Sequence, residues 1–347
     1  MKVSIKFDAI SSPGYEVFID EMRELEFDTK VAIITNETIA KLHLEGFKKR
    51  VRAKELYEVI IKDGEQYKNL NTIEYILSEL FKFKLDRKSL LIAFGGGVVG
   101  DMSGFAASIY QRGIDFVQVP TTLLAQVDAS VGGKTGVNNS FGKNLIGSFH
   151  QPRAVYCESE FLKTLNAREF SAGVAEIIKI AVMFDKSFYS WLESAELSRA
   201  GDLREAILKS VRIKAKVVAQ DEKEAGVRAV LNYGHTFAHI IENETNYSKY
   251  LHGEAVAFGM VMANELAVKL GLLSRAEADN IENTLKRFSL PTRYKIQDIE
   301  RFYEAFFLDK KSSNSKITFI LPHNIGGYAI KDDIDEKSIK EILRIFS

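Results

Sequence analysis

The stretch Leu90-Leu91-Ile92-Ala93-Phe94-Gly95-Gly96-Gly97-Val98-Val99-Gly100-Asp101 decides how this chain is read. Five uncharged apolar residues in a row fit a strand buried on both faces, and such strands belong to parallel sheets covered by helices. The glycines that follow satisfy G-x-G-x-x-G. That pattern lets the backbone approach a pyrophosphate and opens a helix whose first N–H groups face the ligand. The acidic residue expected about 20 positions on is missing, because that stretch reads Gln118-Val119-Pro120-Thr121-Thr122. The motif also follows at least one earlier βα unit instead of opening the domain. Dinucleotide binding is favoured, in a non-standard register; a ligand-free strand–helix turn is the alternative.

Working outward, Val31–Thr35, Leu56–Ile61 and Phe116–Val119 read as further strands, and Leu70, Ile73, Ile76, Leu77, Leu80 and Phe81 fall at helical spacing. Strands alternating with helices argue for a parallel sheet with helices on both faces. After about residue 165 the texture changes. Ser171–Phe184, Asp202–Gln220, Val230–Glu244 and Glu254–Leu270 carry helical periodicity, and Ile317–Leu321 is the one late strand. The expected architecture is a Rossmann-like α/β nucleotide-binding domain over residues 1–165, then a mostly α-helical domain over 166–347.

The 347 residues carry 47 basic and 47 acidic side chains, a formal net charge of zero. No global field attracts nucleic acid or an anionic membrane, so neither is an expected partner. A single cysteine, Cys157, excludes a disulfide framework and a cysteine-rich zinc module. The longest run without Asp, Glu, Lys or Arg, Ile317–Ile330, has 14 residues, short of the ~18 a membrane span needs. Met1–Lys6 has no apolar signal core, and a cytoplasmic location is expected.

Three stretches carry chemistry. Asp128-Ala129-Ser130-Val131-Gly132-Gly133-Lys134-Thr135-Gly136 looks like a P-loop but fails G-x-x-x-x-G-K-[ST], since position 128 is not glycine. What remains is a flexible glycine-rich segment over 128–153 whose Lys134, Lys143, Asn144 and Arg153 suit a phosphate or carboxylate, or are simply solvated. In Ala172–Val182, Glu176 and Lys179 are i,i+3 neighbours on a helix otherwise apolar all round. Buried charges need a partner or a metal, so the choice lies between an internal ion pair and a metal ligand beside a site lysine. His235 and His239 share a helical face at i,i+4, and His252 and Glu254 open the next helix. Imidazoles and carboxylates without cysteine match zinc with an open position. Spacing alone leaves His235, His239 or His252 as the imidazoles and Glu176, Glu242 or Glu254 as the carboxylate.

Nine blocks then converge. They are Asp63–Lys68, Gly95–Asp101, Gln111–Gly113, Val119–Asp128, Gly132–Gly136, Gly142–Asn144, Ala172–Lys179, Asn232–Thr236 and His252–Ala255. In this order they resemble the 3-dehydroquinate synthase family, whose members catalyse the second step of the shikimate pathway towards aromatic amino acids. The resemblance implies a phosphate-eliminating cyclase dependent on NAD and a divalent metal, Zn2+ or Co2+. It would convert 3-deoxy-D-arabino-heptulosonate 7-phosphate into 3-dehydroquinate and phosphate. The steps would be transient oxidation, phosphate elimination, re-reduction, ring opening and intramolecular aldol closure. A homodimer is expected on the same ground.

Carried over by position, the resemblance implies metal ligands Glu176, His235 and His252. Cofactor contacts would be Asn36, Asp63, Gly64, Glu65, Gln66, Tyr67, Lys68, Gly97, Val98, Val99, Gly100, Asp101, Thr121, Thr122, Lys134, Lys143, Phe161, Leu162, Lys163 and Thr164. Substrate and catalytic residues would be Asp128, Lys134, Lys143, Asn144, Lys179, Lys214, Arg228, Asn232 and His239. Arg112 would reach the neighbouring subunit's site, and a late lysine, Lys310 rather than Lys311, would complete the set. Arg112, Lys134, Lys143, Lys214, Arg228 and Lys310 make a locally basic pocket the expectation, with the 128–153 segment closing over substrate. Three other readings compete: a related sugar-phosphate cyclase, a metal-dependent polyol dehydrogenase, and a non-catalytic nucleotide-binding module.

Overall fold

The computed structural model describes residues 1–6, 14–245, 248–308 and 316–347. The chain divides into two compact units. One comprises Met1–Asn166 with Ser198–Lys223, and the other Ala167–Leu197 with Glu224–Ser347. The single boundary expected at residue 165 is therefore only the first of three crossings. The helix Ala200–Gln220 belongs to the first unit, where it packs on the first two strands and on the 125–129 turn. Its apolar face (Leu203, Ala206, Ile207, Val211, Val218) is buried there. Helical periodicity announced the helix but not the surface it covers.

The first unit is built on a seven-stranded sheet. Its strands are β1 (Lys2–Ile5), β2 (Tyr15–Ile19), β3 (Leu25–Asn36), β4 (Val51–Ile61), β5 (Leu90–Gly95), β6 (Asp115–Pro120) and β9 (Ala154–Cys157), in the order β1-β2-β9-β6-β5-β3-β4. Every neighbouring pair is parallel except β1 with β2. All six residues of β5 are buried. Leu91 and Ala93 join one core with Ile73, Ile76, Leu80, Met102 and Ala106, from the helices Leu70–Lys82 and Gly97–Ile109. Ile92 and Phe94 join the opposite core with Leu44, Phe47 and Phe161. The strand's period of two thus feeds both faces, which is why its sequence is apolar without alternation. After β4 the chain returns to the other side of β3 to form β5. Strand order therefore reverses between β3 and β5, the place where open α/β sheets bind ligands.

Several segments differ from expectation. The 128–153 segment is largely a hairpin, not a flexible loop: β7 (Lys134–Asn139) pairs antiparallel with β8 (Gly142–Phe149). Gly136 and Gly147 face each other there, and a Cβ on Gly147 would lie 2.1 Å from Thr135 O. These glycines permit close pairing instead of conferring mobility. The edge strand β1 and its inner neighbours β2 and β9 have only four or five residues each, too few to stand out. In the second unit, Phe319–Pro322 (β10) pairs with a strand the sequence did not announce, Tyr328–Lys331 (β11). The expected helix from Val230 starts only at His235, after a tight turn over Val227–Asn232 and a left-handed Gly234 (φ 81°). No helix among the described residues is long and apolar enough to cross a membrane.

Candidate metal centre and nucleotide-binding edge

Three helices of the second unit, Ala167–Phe184, His235–Glu244 and His252–Lys269, approach with almost no side chain between them. A Cβ on Gly253 would sit 2.0 Å from Ala172 O, and one on Gly259 would sit 2.0 Å from Gly234 O. Only glycine fits either contact. The consequence is that Glu176, His235 and His252, one residue from each helix, offer ligand atoms within 4.8 Å of one another.

Glu176 is 1% exposed, and its Oε1 accepts no hydrogen bond. The Lys179 ammonium lies against Oε2, so the i,i+3 pair read from the sequence exists. His252 Nε2 stands 3.7 Å from Glu176 Oε1, while its Nδ1 lies 3.2 Å from Glu242 Oε1. His235 Nδ1 lies 3.2 Å from Tyr233 O. Burial, then the charges of Lys179, His252 and His239, hold the His235 imidazole well below its usual range. It is neutral, the state that binds metal. Lys179 serves Oε2, so the buried Oε1 is left facing the neutral His235 imidazole and His252 Nε2 with no hydrogen bond to offset its charge. The residues fit a divalent ion held by one carboxylate and two imidazoles.

The geometry also separates groups that spacing left together. His239 packs edge-on to the His235 ring at 5.6 Å and is not in the cluster. Glu254 is held by Arg168 through Nε and Nη2, both at 2.6 Å, and by Leu251 N at 2.8 Å. Glu242 stands behind His252. In the same unit Arg228 is 2% exposed, and Asn232 Nδ2 donates to Glu224 Oε1 at 2.7 Å. Lys310 and Lys311 lie outside the described residues.

In the first unit, most of the expected cofactor residues line the carboxyl ends of β3, β4, β5 and β6. Asn36 ends β3, and its Nδ2 donates to Asp63 Oδ1 at 2.7 Å, just beyond β4. Thr38 Oγ1 donates to Asp63 Oδ2 at 2.6 Å. Gly64 (φ 120°) turns the chain into Glu65–Tyr67, where no β-carbon would be comfortable. Lys68 Nζ donates to Asp101 Oδ2 and Asn144 Oδ1, each at 2.5 Å, and Asn138 Nδ2 donates to Glu65 Oε1 at 2.7 Å. Burial opposes the Lys68 charge, but Asp101 and Glu65 outweigh it and hold the ammonium above its usual range. Burial pushes the Asp101 carboxyl up. The turn Gly97–Asp101 opens its helix beside Thr121 and Thr122: Thr121 N bonds Gly95 O at 3.0 Å, and a Cβ on Gly96 would meet Thr122 Cγ2 at 3.0 Å. Phe161 and Leu162 are buried, while Lys163 and Thr164 are exposed, and Thr164 Oγ1 meets His43 Nε2 at 2.7 Å.

The remaining anion-binding candidates of this unit are spread over three elements. Lys214 Nζ donates to Asp128 Oδ1 at 2.6 Å, tying the returned helix to the 125–129 turn. Lys134 and Lys143 sit on the two strands of the hairpin. Gln111 and Arg112 both hold left-handed backbone (φ 52° and 70°) in the turn before Gly113, a strained conformation that sets the direction of Arg112. Sequence reading missed the supporting residues Thr38, Asn138, Arg168 and Glu224. None belongs to a motif, and each matters only through a partner distant in the chain or folded back upon it.

Comparison with known proteins agrees with this arrangement. The 3-dehydroquinate synthase N-terminal pattern matches residues 58–172, and the 3-dehydroquinate synthase C-terminal pattern matches residues 173–312. The chain is 62% identical over 346 residues to a 3-dehydroquinate synthase of Sulfurovum sp., covering 100% of this chain and 99% of that protein. It is 60% identical to that of Campylobacter fetus subsp. fetus, covering both in full. Among solved structures it resembles a 2-epi-5-epi-valiolone synthase from Streptomyces hygroscopicus with NAD+ and Zn2+ bound. That likeness has a TM-score of 0.88 and 26% identity, over 98% of this chain and 99% of that one. With both halves of the chain matched and full-length relatives at such identity, the protein belongs to the 3-dehydroquinate synthase family.

Proposed function

We propose that this protein is a 3-dehydroquinate synthase of the shikimate pathway, a lyase that converts 3-deoxy-D-arabino-heptulosonate 7-phosphate into 3-dehydroquinate and inorganic phosphate. The observation that carries the reading is the convergence of the buried Glu176 carboxylate with His235 and His252, ligand atoms within 4.8 Å of one another, in a chain of this family. Glu176, His235 and His252 would hold a divalent ion (Zn2+ or Co2+), which would supply polarisation of the substrate alcohol, and bound NAD+ would supply a reversible hydride acceptor. Asn36, Asp63–Lys68, Gly97–Asp101, Thr121, Thr122 and Phe161–Thr164 would hold the nucleotide. The N-terminus of the Gly97 helix suits its pyrophosphate.

Arg112, Lys134, Lys143, Lys214, Arg228 and Lys310 would neutralise the phosphate and carboxylate of the substrate and stabilise charge as phosphate departs. Lys179, Asn232 and His239 would orient substrate hydroxyls in the second unit, and Asp128 and Asn144 in the first. Arg112 would act across a homodimer. A cytoplasmic location accords with this biosynthetic role.

The test mixes purified protein with the heptulosonate phosphate, NAD+ and Zn2+ and follows phosphate and dehydroquinate together. Equal release of both without NADH accumulation is expected, since the cofactor is recycled. Accumulating NADH would mean a polyol dehydrogenase instead. Glu176→Gln should lose zinc and turnover together, whereas Lys134→Ala should lose turnover and keep zinc. Full zinc content in Glu176→Gln would refute the ligand assignment.

A further inference from the structure

Glu242 is one of the few acidic side chains in the interior of the second unit, 3% exposed on the last turns of the helix that begins with His235. Seven positions separate the two residues, which places them on one helical face two turns apart. Its Oε1 lies 3.2 Å from Nδ1 of His252, on the adjacent helix. We infer that Glu242 is a positioning residue for the metal centre: it accepts the Nδ1 proton of His252 and so fixes the tautomer and ring direction that aim Nε2 at the ion. This inference rests on the metal-centre reading of Glu176, His235 and His252.

The geometry supports it from both sides of the ring. Nδ1 faces a buried carboxylate, and Nε2 faces Glu176 Oε1 at 3.7 Å. An imidazole with its proton on Nε2 would point a lone pair at the Glu242 carboxylate and put a hydrogen where the ion would be held, leaving no lone pair to bind it. A carboxylate on the remote nitrogen also makes the imidazole a stronger donor to the ion. His235 has a neutral counterpart, its Nδ1 meeting only the Tyr233 carbonyl at 3.2 Å. The two imidazoles are therefore unequal: the ligand backed by a full negative charge is His252. One short helix supplies both a ligand (His235) and the support of the other ligand (Glu242), so its orientation sets the site twice.

The experiment measures zinc affinity of the full chain by competition with a chromophoric chelator, together with the visible absorption of the Co2+-substituted protein. Glu242→Gln keeps size and an acceptor oxygen but removes the charge. It should fold with an unchanged unfolding midpoint, bind zinc about 10-fold more weakly and shift the Co2+ bands, while Glu242→Ala should lose about 100-fold. In a His252→Ala background, Glu242→Gln should change zinc affinity by less than about 2-fold, because its effect runs through that ring. Unaltered zinc affinity and Co2+ bands in Glu242→Gln would overturn the inference while leaving the metal centre standing. A native protein that binds neither ion would overturn the metal-centre reading itself.

Discussion

Gly253→Ala adds one methyl group where the helix beginning at His252 meets the helix carrying Glu176. The new Cβ would lie 2.0 Å from Ala172 O and 2.6 Å from both Ala172 C and Cα. All three are backbone atoms, so no rotamer change relieves the clash. Real Cβ contacts essentially never fall under 3.0 Å, so the two helices must separate by about 1 Å. Overpacking of a buried helix contact costs about 1–3 kcal/mol; here the unyielding neighbour puts the expected loss near the top of that range. The movement takes His252, the adjacent residue, away from Glu176, so zinc binding should weaken, and misplacement by about 1 Å can cost on the order of 100-fold in turnover. Chemical unfolding of the metal-free protein measures the first effect, and chelator competition for zinc measures the second. If Gly253→Ala unfolds at the same urea concentration as the native protein and holds zinc equally well, close helix approach is not what assembles the centre.

Two further outcomes follow from the first unit. Lys68→Met strands the Asp101 carboxylate, and because Asp101 keeps 22% exposure the expected loss is about 3 kcal/mol, the low end for a broken buried pair. Without the ammonium the folded Asp101 carboxyl rises further above its unfolded value of about 3.9. The penalty is then absent below that value and grows as pH rises through the folded one. Urea midpoints of variant and native protein should converge from pH 7 towards pH 4, and a gap independent of pH would contradict the pairing. If Arg112 serves a neighbouring subunit's site, mixing inactive Arg112→Ala with inactive Glu176→Gln under subunit exchange should restore one working site per mixed dimer. No regained phosphate release would confine Arg112 to its own subunit.

Much of the nucleotide-binding unit was legible because its signals are local. The apolar run at 90–94 reads as a doubly buried strand, and the glycines at 95–97 and 100 end it where a helix must begin beside Thr121 and Thr122. The 128–153 segment misled for a local reason too. Glycine enrichment looks like flexibility in sequence, but at Gly136 and Gly147 it serves close strand pairing. The edge strand β1 and its inner neighbours β2 and β9 are too short for a periodic signal to be seen. The return of Ala200–Gln220 to the first unit had no signal at all, since an amphipathic helix states which face is buried and never against what.

Amino-acid order alone is enough for the alternating α/β unit, the helical character of the second unit, and the presence of three acidic groups and three histidines on or beside its apolar helices. These follow from periodicity and composition, which act over a few residues. Which of those groups meet follows from how the helices pack. Ligand geometry is a relation between separate helices, set here by glycine contacts at 253 and 259, and it divided Glu176, Glu242 and Glu254 among cluster, support and ion pair with Arg168.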